Sequence, residues 1–419
     1  MCKRFSAVLL LLTMAVAAQE PPKEGAPAAK PPEPPKDKPF AEVVKDAQVI
    51  RGLFTFYRTE EKVFLEVLPD QFEKLFMLSL TCESGLGERG FYASMMCGER
   101  AVEFRKDGKN VRLVAKNTGF TAREGTPIRR AVRRSFTDSI LGLARTESLP
   151  HPDRKSVLID LGAILLTDMP MLGYDLEATF RMPYRFDAKN SMFGTIKAFQ
   201  ENVEVETVAH YAAERPPLPP LLPPGAPAPP SVPPPRNVPD IRSMLFRFRY
   251  SLSELPRTGY RPRLADDRVG HFFERAEDYT EDVDHEATRR YINRWHLEKQ
   301  DPSAPRSRPK QPIVFWLENT IPVKYRAAIR DGVLMWNKAF EKIGFQDAIE
   351  VKQQPDDADW DPADVRYSTV RWFNCTDCGF AIGPSRANPL TGQLYDADIG
   401  FSEAITRFFR QEIVEQINP

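Results

Sequence analysis

The sequence predicts an α+β chain: a mostly-β amino-terminal domain, built as a sandwich or an open barrel, followed by a strand–helix–strand unit. Three observations predict it. Between Val49 and Ser253 many short apolar runs alternate with polar residues at the period of a strand and are separated by turn residues. Between Pro322 and Gly344 the apolar period becomes that of a helix, flanked by short β-branched and aromatic runs. The chain has 39 prolines, and most of the excess over the usual share sits in two stretches too poor in apolar residues to form a core. The boundaries that follow are a signal peptide over 1–18, a proline-rich linker over 19–40, a β-rich domain over 41–255 interrupted at 215–239, a connector over 256–310 and the strand–helix–strand unit over 311–419.

Lys3 and Arg4 precede an apolar run, Ala7 to Val16, that is too short to span a bilayer and ends in small residues at Ala15, Ala17 and Ala18. This is the pattern of a signal peptide, so the expected location is secreted or periplasmic. No other stretch is apolar and long enough to cross a membrane. The 58 basic and 58 acidic residues cancel, so no overall field recruits nucleic acid or an acidic membrane surface. Export permits disulfides. Cys82 and Cys97 flank a glycine-rich loop that a bridge would staple. Cys375 and Cys378 form C-x-x-C, for which a local disulfide, free thiols, a metal site or a redox pair are the alternatives; a thioredoxin-like site would want a strand-to-helix setting, and this pair is expected between two strands.

In the β-rich part, Leu53–Tyr57, Lys62–Leu68, Phe76–Thr81, Ala101–Arg105, Val111–Val114, Ser156–Leu161, Gly194–Phe199 and Asn202–His210 are expected strands. Asp107-Gly108 marks a hairpin. Arg242 to Leu252 alternates most cleanly, with Met244, Phe246, Phe248 and Tyr250 on one side and Arg247 and Arg249 on the other. Arg123 to Arg134 is basic and is expected as a loop or a solvated strand, and Leu161 to Met171 can begin a short helix. The 215–239 insertion predicts polyproline II or an unstructured segment, an exposed insertion or a ligand for a proline-binding module. The connector is expected to pack along both domains, with a helical patch around Glu286 to Glu298.

In the carboxy-terminal part, Ile313-Val314-Phe315-Trp316-Leu317 is a strand. Pro322 starts a helix, whose Ile329, Val333, Trp336, Phe340 and Ile343 fall on one face and whose Gly344 is a left-handed cap. Val365–Phe373 and Ala381–Ser385 are expected strands, Asn388 to Gly392 a turn, and Asp396 to Phe401 a last strand. Asp396 and Asp398 share a face there; two such carboxylates can bind calcium or act as acid and base, and solvated or loop-capping aspartates are the plainer reading. Ser402 caps a final helix carrying an apolar stripe of Ile405, Phe409, Ile413 and Ile417, with Phe408 beside it.

This succession of Ile-Val-Phe-Trp-Leu, amphipathic helix, Val-Arg-Tyr strand, Gly383-Pro384-Ser385-Arg386, Pro-Leu-Thr-Gly and Asp-Ala-Asp-Ile resembles the upper half of a metzincin-type zinc metalloprotease catalytic domain. It looks closest to a bacterial secreted group with a β-rich domain of unknown role ahead of the catalytic part. The resemblance runs from about Val49 onward and includes Arg290-Tyr-Ile-Asn-Arg-Trp-His-Leu-Glu-Lys299. It implies peptide-bond hydrolysis by zinc-activated water, and an edge strand that pairs with an extended peptide or protein substrate. Carried over by motif, that edge is Ala381 to Arg386, with backbone groups of Gly383 and Ser385 as donors and acceptors and Arg386 meeting a substrate carboxylate or pairing with Asp396.

The family's zinc helix, H-E-x-x-H-x-x-G-x-x-H, is not among these 419 residues. Of the five histidines, His151, His210, His271, His285 and His296, only His285 is followed by Glu, and Arg289 stands where a second ligand four residues on would be. No catalytic or metal-ligating residue is therefore assigned, and zinc is expected only for the complete family enzyme. Three readings follow: the amino-terminal part of a secreted zinc metalloendopeptidase, inactive as this chain; a non-catalytic secreted peptide-binding or scaffold protein; or one half of a two-chain protease whose partner supplies the zinc helix. Neither a phosphate-binding loop nor a G-x-S-x-G elbow appears.

Overall fold

The strand with the cleanest alternation, Ser243–Glu254, lies within the largest sheet, between Asn202–Ala212 and Phe76–Cys82. This computed structural model describes residues 37–215, 232–255, 258–282, 285–362, 364–376 and 378–417. The expected signal peptide, nearly all of the linker and the middle of the proline-rich insertion lie outside the described residues. The large sheet has eight antiparallel strands and curls into a half-barrel, continuing from Phe76–Cys82 through Met95–Asp107 and Asn110–Ala115 to Ser139–Arg145. Met244, Phe246, Phe248 and Tyr250 are all buried on one of its faces, as their spacing requires. Gly108 takes the left-handed φ that the Asp-Gly turn between its second pair of strands needs.

A smaller antiparallel sheet of Gln48–Arg51, Thr55–Arg58, Val63–Val67 and Val157–Asp160 covers this face. Phe54, Phe56, Leu65 and Ile159 pack there against Phe76, Leu78, Val102 and Phe104. Its other face buries Tyr57, Phe64 and Leu158 beneath Phe40. Burial on both faces explains why every residue of Val63–Val67 is buried. Each such side chain stabilises the fold by about 1.5–3 kcal/mol relative to exposure.

One local reading of this part is corrected and another, the short helix after Leu161, is met. The basic run is a helix, Pro127–Ser135, started by Thr126, whose side chain accepts from the Arg129 N–H, and by Pro127 in the first helical position. The segment after Leu161 holds two short helices, Gly162–Leu165 and Leu172–Phe180.

The connector is β rather than helical. Phe273–Asp278 pairs antiparallel with Thr288–Ile292 and parallel with Phe120–Thr121 of the β-rich part. Arg294–Trp295 pairs parallel with Gln393–Ala397. The connector thus lends strands to both sides, and Lys38–Pro419 gathers into one compact unit.

The carboxy-terminal sheet has five strands in the order Ile349–Gln353, Ile313–Leu317, Thr369–Phe373, Ile399–Ser402, Ala381–Ile382. The first four are parallel and the last, at the edge, is antiparallel. The helix after Pro322 is interrupted, running over Val323–Leu334 and Asn337–Lys342. At the break the Trp336 N–H bonds to Val333 O, three residues back. Asn337 accounts for the break: its amide exchanges two hydrogen bonds with the backbone of Ile349 on the adjacent strand, at 2.9 and 2.8 Å. That anchor holds Ile329, Val333 and Phe340 on the core but leaves Trp336 and Ile343 exposed, contrary to the single face predicted. Gly344 has φ +89° and ends the helix, with the Phe345 N–H donating to Phe340 O. The last helix, Glu403–Ile417, is capped by Ser402, whose Oγ accepts from the Ala404 N–H; its Phe408, Phe409, Ile413 and Ile417 are exposed. Among the described residues no helix is long and apolar enough to cross a membrane.

Candidate functional site

The segment assigned to substrate binding divides between two sheets. Among the described residues Ala381–Ile382 is the edge strand, paired only with Ile399–Ser402, and Ala381 and the following Gly383 are exposed. After Pro384 the chain crosses to a three-stranded sheet, where Ser385–Ala387 pairs antiparallel with Gln393–Ala397. Ser385 is opposite Ala397 and half-buried. The one strand predicted from Asp396 to Phe401 is likewise two, Gln393–Ala397 and Ile399–Ser402, with Asp398 at the crossing.

Arg386 turns inward. It is among the largest fully buried side chains of the protein. Its Nε lies 3.3 Å from Asp396 Oδ2, its Nη2 donates to Thr81 Oγ1 at 2.9 Å, and its Nη1 donates to Gly98 O at 3.4 Å. Of its two expected roles, pairing with Asp396 is the one the geometry provides; the guanidinium does not reach the open edge. Asp396 and Asp398 are buried rather than solvated. Burial and the charge of Asp398 push Asp396 well above the ordinary carboxylate range, with Arg386 opposing. Burial raises Asp398 as well, opposed by Arg371 and by the hydrogen bond from Thr369.

Behind this pair the β-rich part and the five-stranded sheet meet through buried charges. Arg371, on the strand Thr369–Phe373, lies 3.7 Å from Glu83, 3.7 Å from Glu318 and 3.8 Å from Asp398. Arg249 lies 3.4 Å from Glu83 and 2.6 Å from Asp361. Beside them Asn202 donates to both Glu204, at 2.6 Å, and Asp364, at 3.1 Å. Burial, reinforced by Asp364, raises Glu204 well above its ordinary value. Arg371 Nε and Nη1 find no hydrogen-bond partner, so the cluster is held by charge more than by directed bonds.

A second polar region lies on the opposite run of the half-barrel. A cleft of about 360 Å³ is lined by Glu99, Arg100, Lys116 and Glu274 among others. Burial raises both Glu99, which accepts from Tyr395 Oη at 3.1 Å, and Glu274. The adjoining cleft, about 770 Å³, holds Asp138 between Lys116, at 2.7 Å, and Arg105, at 2.6 Å. Burial alone would raise Asp138, but Lys116, the Asn117 N–H and Arg105 outweigh it and hold the carboxyl at about 2. A folded value below the unfolded one gives stability that is present above the unfolded value and is lost as pH falls through the folded one. Asp138→Asn is therefore expected to cost about 1 kcal/mol at pH 7, after discounting for partial solvent screening. In urea unfolding, the difference from the parent protein should disappear as pH falls from about 4 towards about 2.

The histidines are dispersed. His151 accepts from the backbone N–H groups of Asp153 and Arg154. His210 lies between Asp187 and Ser243, and His296 between Tyr260 and Glu298. His271 and His285 are exposed. Among the described residues no three His, Cys, Asp or Glu side chains gather in a way that can hold a metal ion. Both predicted cysteine pairs are disulfides, Cys82–Cys97 and Cys375–Cys378.

Sequence reasoning missed the buried charge cluster and the Glu99–Glu274 cleft, because their residues come from distant stretches that each resemble ordinary solvated surface. Arg249, on the polar side of a strongly alternating strand, and Asp398, paired with Asp396, were within reach of a pattern argument. No curated protein and no solved structure matches the chain. Residues 94–300, which span most of the half-barrel and the connector strands, match the family model of a domain of unknown function, DUF5117.

Proposed function

We propose that this chain is the amino-terminal, peptide-gripping part of a secreted zinc-dependent metalloendopeptidase of the metzincin-like type. The observation that carries the reading is the five-stranded sheet, in which four parallel strands end in one short antiparallel edge strand with Ala381 and Gly383 exposed. An open edge offers unpaired backbone groups to an extended peptide. The two disulfides fit an exported protein. The described residues do not fit a zinc ion, so no step of hydrolysis is assigned to them. Their part is to bind and align the peptide, with the outer edge of Ala381 to Gly383 supplying the backbone pairing and the buried charges behind it keeping the edge fixed.

A fluorescein-labelled extended peptide titrated with the full chain should show saturable anisotropy. Gly383→Pro, which removes an edge N–H, should weaken that binding at least about tenfold, or 1.4 kcal/mol. Its unfolding midpoint should stay unchanged. Failure of the parent protein to bind any extended peptide sinks the gripping role. The protease reading has a separate check in the coding frame beyond codon 419: a His-Glu-x-x-His sequence within about a hundred residues supports it, and its absence there and in the neighbouring frame removes it.

A further inference from the structure

The pair Cys375 and Cys378 was expected between two strands, a setting unsuited to redox chemistry. The strands are there, Thr369–Phe373 and Ala381–Ile382, but the sulfurs lie somewhere more telling. Both sit against Ser402, the capping residue of the 15-residue helix Glu403–Ile417. Ser402 Oγ is 3.2 Å from Cys375 Sγ and 3.3 Å from Cys378 Sγ. The two cysteines differ in access: Cys375 is half-exposed, whereas Cys378 is 2% exposed. Glu403, the one acidic residue in the first turn, is engaged by Arg407 at 2.8 Å.

We propose that Cys375–Cys378 is a dithiol–disulfide exchange site, reached by small thiols and dithiols through Cys375. Three features carry this. An accessible sulfur in front of a buried one fixes which is attacked. The Ser402 hydroxyl donates to Cys378 O at 2.9 Å while the bridge is closed and lies within reach of both sulfurs, so on opening it can turn to a thiolate on either. The start of a helix lowers the pKa of nearby thiols, which stabilises the reduced state and makes the disulfide easier to open.

In the exchange, the thiolate of a reducing dithiol attacks Cys375 Sγ. The Cys375–Cys378 bond breaks, and Cys378 Sγ leaves as a thiolate beside the Ser402 hydroxyl. The second thiolate of the reductant then attacks its own sulfur in the mixed disulfide, closing a cyclic disulfide and releasing Cys375 as a thiolate. Two electrons pass from the dithiol to the protein pair, and protons from solvent complete the two thiols.

The bridge also pins a loop that matters to the rest of the molecule. Thr376 donates its N–H to Gly87 O at 2.9 Å and accepts from the side chain of Asn237 at 3.1 Å. Phe380 meets Tyr92 edge-on at 5.6 Å. The loop then enters the edge strand at Ala381. Opening the bridge should loosen these contacts with the β-rich part and the entry to that edge. The inference stands on the cysteine geometry and does not depend on what the edge binds.

The test uses the intact protein in buffers of reduced and oxidised dithiothreitol, with acid quench, alkylation and peptide mass spectrometry. Cys82–Cys97 is the internal reference. The expected result is that Cys375–Cys378 is half reduced at a reductant-to-oxidant ratio at least about tenfold lower than Cys82–Cys97, and that Ser402→Ala narrows the gap. Hydrogen exchange should rise over 379–382 in the reduced form. In single variants, Cys375 in C378S should react with an aromatic disulfide reagent at least about tenfold faster than Cys378 in C375S. Opening of both bonds at one ratio, opening of Cys375–Cys378 only on unfolding, or equal rates for the two single variants would overturn the proposal.

Discussion

Arg371→Met is expected to destabilise the protein by about 3–5 kcal/mol at pH 7, measured by urea unfolding, because it leaves buried carboxylates without their counter-charge. Arg371 is buried among Glu83, Glu318 and Asp398. Burial disfavours its own charge, yet Glu83, Asp398, Glu318 and Asp361 together keep it protonated. Methionine fills much of the same volume, so the loss measures charge rather than a cavity. The pH dependence separates this from a packing defect. Burial already raises Glu83 above its ordinary value, Arg371 being the main opposing influence, and Asp398 is raised likewise. Without Arg371 both should rise further. A carboxyl whose folded value exceeds its unfolded value binds protons more tightly when folded, so stability grows as pH falls through the folded value towards the unfolded one. Arg371→Met should therefore recover part of its loss between pH 7 and pH 5. A cost that stays constant over that range would assign the effect to packing.

This cluster also shows where a linear reading runs out. The alternation of Met244, Phe246, Phe248 and Tyr250 is a local property, and it placed one face of the half-barrel correctly. Gly344 was legible for the same reason, since a left-handed residue after a helical period is a local demand on the backbone. The basic helix carried a local signal too, Thr126 followed by Pro127, but its four arginines drew attention to charge instead of capping. Glu286 to Glu298 looked helical by composition and became strands because Phe273–Asp278 and Gln393–Ala397 offered partners. Propensity is a weak prior that such pairing overrides. The charge cluster as a whole had no local signal, although Arg249 lies on an alternating strand and Asp398 in a carboxylate pair. Arg249, Glu83, Arg371 and Asp398 come from four distant stretches, and each looks like a surface residue until the two sheets are laid together.

Arg386 draws the sharpest line between a binding residue and a structural one. A guanidinium that meets a substrate carboxylate can be removed at little cost to the fold, with affinity lost instead. Arg386 as observed is a strut: it joins Asp396 to Thr81 and Gly98, the neighbours of Cys82 and Cys97 in adjacent strands of the half-barrel. Arg386→Ala is expected to cost about 3–5 kcal/mol in unfolding free energy. Part comes from the cavity left by one of the largest fully buried side chains, and part from stranding Asp396 beside Asp398 with its main counter-charge gone. A double-mutant cycle divides the two. Adding Asp396→Asn to Arg386→Ala should return about 1–2 kcal/mol, because the second change removes the charge that the first leaves unpaired. Asp396→Asn alone should cost less than Arg386→Ala, since burial and Asp398 already favour its neutral form. If Arg386→Ala instead unfolded like the parent protein and lost only peptide affinity, the guanidinium would have to swing out to the open edge in solution, and the junction between the two sheets would be looser than these contacts require.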